Sequence, residues 1–430
     1  MRAPNAAPQG SRYDGHVLTP LKGHGPLLPL LLAGLLASTG CTDPSPAASE
    51  SSTSASSDSD PPGTSDPGPA TTAADSTTST TTTGTRNSTS TGVSSSTAAT
   101  TRATDTGEDT STGEPPQPPR LPLCGTTPPA GATLAPELPS FGGGGMCPVL
   151  ETDGTRNVMS TGGGDREFIV VVPSDWEQGE QLPVIVLYHW LGASAEGFYD
   201  RAEAQAAADH YRFIALIPEG RELEDLVPFR WPFAVSDLDL LMDQDFQFLD
   251  DMLACAHEQF GIDKECVSVM GVSAGAMFSS MIASRHGSRI ASLISLSGGV
   301  GGLIKPWQTA EHVMPAMVLW GGREDFCIAI DFEVASLQLE QELEADGHFV
   351  MECIHNCSHA TPPFEPDDPG LPTFAPAWEF FLDHPYWLED GDSPYLSLPE
   401  GLPAQWPQWC AIGAGNADIR VGECMGSECQ

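Results

Sequence analysis

One serine of this 430-residue chain lies in a pattern that is typical of nucleophilic catalysis. Ser273 stands in Gly271-Val272-Ser273-Ala274-Gly275, directly after an apolar, β-branched run. A serine at a sharp strand-to-helix turn needs small residues two positions away on each side, because the strained turn leaves little room for their Cβ atoms. The same turn lifts the serine Oγ above the sheet and points the next N–H at a developing oxyanion. The pattern predicts that Ser273 is a nucleophile and that the backbone of Ala274 is an oxyanion donor.

A carboxylate that could serve this serine follows a later apolar run. Serine is a poor nucleophile unless a base takes its proton, and that base needs a carboxylate to orient it. Hydrolases with this turn carry their serine, acid and histidine in that chain order, each after a strand. The run 316–320 leads into a loop that contains Glu324 and Asp325. We therefore predict Asp325 as the acid, with Glu324 as the main alternative.

A histidine follows the next apolar run and completes the order. The run 349–354 is followed by His355 and, four residues later, by His359. We predict His359 as the base that takes the serine proton, with His355 as the alternative. His355 lies closer to the strand, and this position favours a structural role.

A second oxyanion donor is expected from the loop after an earlier strand. The apolar run 182–188 is followed by His189-Trp190-Leu191-Gly192 at the corresponding place. A backbone N–H of Trp190 or Leu191 would complete the oxyanion hole. The alternative interpretation of this loop is a simple β-turn.

An aromatic segment between two predicted elements could form a wall of the substrate site. Residues 229–233 read Phe-Arg-Trp-Pro-Phe. We predict that Trp231, together with His189, contacts the substrate. Ordinary packing of the aromatic rings is the alternative.

The elements that must position these residues alternate between strands and helices. Alternation of this kind predicts an α/β fold with a mostly parallel central sheet and helices on both faces. Strands are expected at 166–172, 182–188, 213–217, 266–270, 290–296, 316–320 and 349–354, and helices at 237–260, after Ser273, at 330–344 and at 374–382.

From about residue 167 to residue 382 the chain resembles the polyhydroxybutyrate depolymerase and feruloyl esterase branch of the α/β-hydrolases. The resemblance implies the α/β-hydrolase fold and an extracellular serine esterase that needs neither a metal nor an organic cofactor. The matching stretches are the His189 loop, residues 243–249, residues 271–277 and the loop that carries Ser358 and His359.

The function that these residues favour is the hydrolysis of carboxylic esters through an acyl-enzyme. A hydroxyalkanoate polyester, a feruloylated or acetylated polysaccharide and a small ester all remain open as substrates. A non-catalytic surface binding protein on a hydrolase fold and a serine peptidase of the same fold are the alternatives.

The start of the chain resembles an export signal. A basic, polar beginning leads to the apolar run 27–37, which is too short to span a bilayer. Residues 1–41 are predicted to be a signal peptide that ends at a lipidated Cys41. A plain signal peptide is the alternative. We expect an exported protein that is either a cell-surface lipoprotein or secreted.

Composition divides the rest of the chain into three parts. Residues 42–120 are rich in Ser, Thr, Pro, Gly and Asp and poor in large apolar residues, so they predict a disordered linker. Residues 121–387 are the predicted catalytic domain. Residues 388–430 are rich in Pro, Gly and Trp and contain three cysteines, which predicts a disulfide-tied appendage.

The cysteines favour disulfides over metal ligands. The chain has 11 of them, and one ends the export signal, which leaves an even number in an exported protein. A Cys255–Cys266 pair is the first expectation. A bridge from Cys327 to Cys353 or Cys357 would join the acid and base loops, and a Cys353–Cys357 bridge is the alternative.

The formal net charge of −40 argues against nucleic acids and anionic membrane surfaces as partners. We expect an ester substrate, possibly polymeric, contact with a membrane only through the lipid anchor, and a monomeric protein.

Overall fold

The computed structural model describes residues 121–222, 229–364, 370–399, 401–403 and 406–424. The predicted signal peptide with Cys41 and the predicted linker 42–120 lie outside these residues. Within them, the helices are either too short or too polar to cross a membrane.

A nine-stranded sheet forms the centre of the described chain. Its spatial order is β1-β2-β4-β3-β5-β6-β7-β10-β11, and β8 and β9 form a separate hairpin. The strands are β1 (Asp153–Thr161), β2 (Gly164–Val171), β3 (Leu182–Tyr188), β4 (Ile214–Pro218), β5 (Ile262–Val272), β6 (Ser292–Leu296), β7 (Ala316–Trp320), β8 (Phe326–Cys327), β9 (Ile330–Asp331), β10 (Val350–Ile354) and β11 (Cys410–Ile412).

The central strands of the sheet, β4, β3, β5, β6, β7 and β10 in spatial order, run parallel to one another. β1, β2 and β11 pair antiparallel at the two edges. Among the parallel strands, β4 and β7 are short, unbroken apolar runs because both of their faces are covered. The apolar runs of the sequence therefore predict the parallel strands well, whereas β1, with its alternating exposure, and β11 were not predicted.

In the described part of the chain, six α-helices cover the sheet: α1 (Ala195–Arg201), α2 (Ala204–Tyr211), α3 (Asp239–Phe260), α4 (Ala274–Arg285), α5 (Phe332–Ala345) and α6 (Ala375–Asp383). α3, α4 and α5 pack with one face of the sheet in a first core. α1, α2 and α6 pack with the other face in a second core. Neighbouring residues of β3 divide between the two, since Val184 lies in the first core and Ile185 in the second. The predicted α/β class, with helices on both faces of a mostly parallel sheet, is confirmed.

The predicted appendage contributes to the sheet and to the second core. β11 lies beside β10, with Cys410 opposite Cys353. Tyr395 is fully buried, and Trp406 and Trp409 pack in the same core. Disulfides tie the tail to β10 at Cys353 and to the loop after β10 at Cys357. Its aromatic residues share the core of the catalytic region.

The expected Cys255–Cys266 disulfide is wrong. Cys255 bonds to Cys147 and Cys266 bonds to Cys124. Cys255 belongs to α3 and to the first core. Cys266 lies four residues before Met270 on β5, so its side chain is on the same face of the sheet as that of Met270, which lies in the second core. The two cysteines therefore lie on opposite faces of the sheet.

The expected bridge between the acid and base loops is also wrong. Cys353 bonds to Cys410, and Cys357 bonds to Cys424. Cys327 is also disulfide-bonded, but neither to Cys353 nor to Cys357. The alternative Cys353–Cys357 bridge is excluded by the same two bonds. The reason is the tail, because β11 sets Cys410 directly beside Cys353 in the sheet.

Candidate active site

The turn between β5 and α4 carries Ser273 in a strained conformation. Its φ is 54° and its ψ is −118°, outside the regions that L-residues favour. A Cβ on Gly271 would lie 2.3 Å from the carbonyl oxygen of Gly275, and a Cβ on Gly275 would lie 1.9 Å from that of Tyr188. Both glycines are therefore required by close backbone contacts. Strain of this kind costs on the order of 1–3 kcal/mol and is common at functional sites.

Three side chains from separate loops form a hydrogen-bonded chain at this turn. His359 Nε2 lies 2.9 Å from Ser273 Oγ, and His359 Nδ1 lies 2.6 Å from Asp325 Oδ1. Asp325 is fully buried, whereas 15% of the His359 side chain is exposed. The structure thus brings together the predicted nucleophile, acid and base, at the carboxyl ends of β5, β7 and β10.

The second carboxylate oxygen of Asp325 is held by two donors. Ser297 Oγ donates to Oδ2 at 2.8 Å, and the N–H of Gly321 donates to the same oxygen at 2.7 Å. Ser297 was missed by the sequence analysis, although it directly follows β6, the strand between β5 and β7. Glu324, the alternative acid, is exposed to solvent in a short 3-10 turn.

The acid and base loops touch through their backbones. A Cβ on Gly321 would lie 1.8 Å from the carbonyl oxygen of Ser358. Ser358 has a φ of 57°, which turns the chain immediately before His359. Phe332, the first residue of α5, stacks on the His359 ring with 4.3 Å between ring centroids. These contacts fix the imidazole between Asp325 and Ser273.

His355 lies apart from the hydrogen-bonded chain. Its ring is buried, and Nδ1 accepts a hydrogen bond from the Cys357 N–H at 3.1 Å. Burial is the main cause that lowers the pKa of His355 to about 4, so the ring is neutral at physiological pH. These features fit the structural role that its position favours.

The loop after β3 lies against the start of α4. Leu191 and Ala274 line the same cavity beside Ser273. The ring of Trp190 instead packs on Phe198 in the second core, and the Trp190 carbonyl accepts the Ala193 N–H at 3.2 Å. Of the two predicted loop donors, Leu191 is the one at the cavity.

His189 and Trp231 lie behind this loop. His189 is fully buried, donates from Nδ1 to the Trp190 carbonyl at 2.9 Å, and accepts the Gly220 N–H at Nε2. Burial lowers the pKa of His189 to about 4, so the ring is neutral and supports this arrangement. Trp231 Nε1 donates to the His189 carbonyl at 2.9 Å. Neither side chain lines the cavity, and their predicted contact with substrate stays a prediction.

The cavity beside Ser273 is small and mainly apolar. Met277, one turn into α4, and Ile328 and Ile330 of the β8–β9 hairpin form part of its wall. Among the described residues, no group of three or more His, Cys, Asp or Glu side chains is arranged to hold a metal ion.

Comparison with known proteins gives matches in structure only. No family model and no curated protein matches the sequence. The crystal structure of native sOPH is 17% identical, covers 64% of this chain and 97% of its own, and has a TM-score of 0.49. Native pOPH is also 17% identical, with 62% and 97% covered and a TM-score of 0.48. A ferulic acid esterase is 12% identical, with 48% and 90% covered and a TM-score of 0.39.

Proposed function

We propose that this protein is a serine hydrolase that cleaves carboxylic esters through an acyl-enzyme. The observation that carries the proposal is the chain Ser273–His359–Asp325, in which both hydrogen bonds are 2.9 Å or shorter. A buried carboxylate, a partly exposed imidazole and a serine on a strained turn are the parts that this chemistry needs.

In the first half of the reaction, Ser273 Oγ attacks the ester carbonyl carbon while His359 Nε2 takes the hydroxyl proton. The N–H groups of Ala274 and Leu191 stabilise the resulting oxyanion. When the tetrahedral intermediate collapses, its bond to the alcohol oxygen breaks and His359 gives the proton to that oxygen. The acyl group remains on Ser273.

In the second half, His359 takes a proton from a water molecule, which attacks the acyl-enzyme. Collapse of the second intermediate releases the carboxylic acid and returns the proton to Ser273 Oγ. Asp325 accepts the Nδ1–H of His359 throughout, so that Nε2 is free to receive a proton and the imidazolium is stabilised when it forms.

The proposed setting is outside the cytoplasm. Four disulfides among the described residues fit an oxidising compartment. A lipidated Cys41 remains part of the proposal, and mass spectrometry of the mature N-terminus tests it. The proposed substrates are hydroxyalkanoate polyesters, acylated polysaccharides and small esters.

Two substitutions test the catalytic proposal. We expect Ser273→Ala and His359→Ala each to lower short-chain ester hydrolysis by roughly a thousandfold or more, the scale of losing a triad member. Ser279→Ala, on the same helix, is the matched control and should retain activity, because Ser279 Oγ donates to a helix carbonyl.

A fluorophosphonate probe separates an enzyme from a binding protein. Labelling should occur on Ser273 in the wild-type protein and be absent in Ser273→Ala. A wild-type protein that folds but neither reacts with the probe nor hydrolyses any ester would refute the proposal. If His355→Ala is inactive while His359→Ala is active, the base is assigned to the wrong histidine.

A further inference from the structure

We propose that Glu219 is a positioning residue that holds the loop carrying the second oxyanion donor. This donor is Leu191, and its loop joins β3 to α1 (residues 189–194, the oxyanion loop). The inference rests on the proposed ester hydrolysis. It adds a residue outside the triad on which stabilisation of the transition state depends.

The first residue of the oxyanion loop is fixed through both its ring and its backbone. His189 Nε2 accepts the N–H of Gly220 at 3.0 Å, and the His189 carbonyl accepts the Nε1–H of Trp231 at 2.9 Å. Both donors belong to the segment after β4. This segment is closed by a hydrogen bond of 2.9 Å from the Arg221 N–H to the Arg230 carbonyl. The beginning of the oxyanion loop is therefore attached to a closed segment of the chain.

Glu219 holds the other end of the oxyanion loop with both of its carboxylate oxygens. Oε2 accepts the N–H of Ala195, the first residue of α1, at 2.8 Å. Oε1 accepts Nη1 of Arg230 at 2.8 Å, and the same nitrogen donates to the Ala193 carbonyl at 3.4 Å. The carboxylate thus binds one backbone group directly and holds the guanidinium against a second one.

The proposed donor lies between these two attached ends. The loop turns tightly at Leu191 and Gly192, because the Ala193 N–H bonds to the Trp190 carbonyl at 3.2 Å and Gly192 has a φ of 79°. With both ends of this turn fixed, the N–H of Leu191 has little freedom to move. Donors that are already oriented need no reorganisation when negative charge develops, and this is the source of their effect on the rate.

The surroundings of Glu219 fit a positioning role. Its side chain is buried, and it is not among the described residues that line the cavity beside Ser273. Burial is the main cause that raises the pKa of Glu219, and the Ala195 N–H and the charges of Arg156 and Arg230 oppose this rise. Arg156 Nη2 lies 3.1 Å from Oε2. Glu219 therefore acts on the reaction through the loop that it holds.

Glu219→Gln should release one attachment of the loop without changing the size of the side chain. Glutamine has one amide oxygen and an NH₂ group in place of the second oxygen. That NH₂ group must face either the Ala195 N–H or the Arg230 guanidinium, and both of these groups are donors. We expect kcat for p-nitrophenyl acetate to fall by about tenfold or more while KM stays within about twofold, because an oxyanion donor acts on the transition state.

A pair of inhibitors distinguishes this role from a general loss of structure. A trifluoromethyl alkyl ketone forms a hemiketal oxyanion on Ser273, whereas the matching methyl alkyl ketone binds mainly as the ketone. In Glu219→Gln the inhibition constant of the first should rise by the factor by which kcat/KM falls, and that of the second should stay unchanged. Rates are divided by the number of sites that a fluorophosphonate probe labels at completion, so that unfolded protein does not affect the comparison.

Glu196→Gln is the matched control. Glu196 belongs to the same group of ion pairs, but its side chain is 44% exposed and it binds Arg156, so this variant should keep the wild-type kcat. Arg230 gives a second test if Glu219→Gln does not fold. Arg230→Met should lower kcat with KM unchanged, and Arg230→Lys, which can still donate to Glu219, should recover part of the loss.

The outcomes separate this inference from the proposed function. An active wild type in which Glu219→Gln and Arg230→Met keep the wild-type kcat would overturn the positioning role but not the ester hydrolysis. The role is also refuted if kcat falls while the trifluoromethyl ketone binds as before, since the loss would then not arise at the oxyanion. A wild type that hydrolyses no ester and resists the fluorophosphonate probe would overturn both proposals.

Discussion

Asp325 uses both of its carboxylate oxygens, and this arrangement makes its replacement by asparagine informative. Oδ1 accepts from His359, whereas Oδ2 accepts from Ser297 Oγ and from the Gly321 N–H. In Asp325→Asn the single amide oxygen is best placed at Oδ2, where donors must be satisfied. The amide NH₂ then faces Nδ1 of His359 and can only donate. The imidazole is forced into the tautomer that carries its proton on Nε2 and cannot accept one from Ser273.

We expect Asp325→Asn to lower kcat for short-chain esters by roughly ten-thousandfold, as the wrong histidine tautomer does in a catalytic triad. Steady-state hydrolysis of an acetate ester measures this loss, and the fold is checked by circular dichroism. Glu324→Gln is the matched control, because Glu324 is the adjacent exposed carboxylate and should retain wild-type kcat. The opposite pattern, with an active Asp325→Asn and an inactive Glu324→Gln, would assign the acid to Glu324.

At the scale of elements, α5 and β10 bury two carboxyl groups side by side. Glu352 on β10 accepts the N–H groups of Gly415 and Ala417 from the tail, at 3.0 and 2.6 Å. Glu340 on α5 is also fully buried. Burial is the main cause that raises the pKa of Glu340 from 4.5 to about 9, and the negative charge of Glu352 is the second cause. Glu340 is therefore protonated in the folded protein at neutral pH.

The raised pKa of Glu340 implies a loss of stability at alkaline pH. Between pH 4.5 and about 9 the folded state binds a proton at Glu340 that the unfolded state has released. Because the folded state binds more protons, this group's contribution to the free energy of unfolding falls as pH rises through that range. A glutamine at this position has no proton to lose and removes the effect.

We expect Glu340→Gln to become more stable relative to the wild type as pH rises from 5.5 to 9, by about 1 kcal/mol or more. Denaturant unfolding at several pH values measures the difference. Glu342→Gln, on the same helix and partly exposed, is the control and should follow the wild-type pH profile. A constant difference between Glu340→Gln and the wild type across this range would show that Glu340 is ionised in the folded protein.

At the scale of the whole molecule, the net charge of −40 acts on any charged substrate before it reaches the site. A potential of one sign slows the approach of ions of the same sign, and salt screens this repulsion over about 10 Å at 0.1 M. A neutral substrate is unaffected by the field. The charge of the substrate should therefore change the salt dependence of the reaction and leave its mechanism unchanged.

Phenyl acetate and 4-acetoxybenzoate form a matched pair for this test, since they share the acetyl group and differ by a carboxylate on the leaving group. We expect kcat/KM for 4-acetoxybenzoate to rise several-fold between low salt and about 0.5 M NaCl, while that for phenyl acetate stays nearly constant. Equal responses of the two esters to salt would show that the field of the molecule does not reach the site.

Features that depend on local sterics and on chain order could be predicted from the amino-acid sequence. The turn around Ser273 could be predicted from its two flanking glycines, Gly271 and Gly275, because only glycine fits the backbone contacts at these positions. The apolar runs predicted the parallel strands, since burial on both faces leaves an unbroken apolar stretch. Asp325 and His359 followed from their places after two of those strands.

Features that depend on which distant segments meet could be read only from the folded chain. Ser297 was found only when β6 was seen to lie between β5 and β7, and Leu191 was separated from Trp190 only by the cavity beside Ser273. The disulfides were wrong in the sequence analysis because sequence separation does not tell which face of the sheet a cysteine occupies. Cys266 and Cys255 lie on opposite faces, and Cys353 is paired by a strand that the sequence analysis did not predict. Such pairings depend on the register and order of the strands, which local residue patterns do not specify.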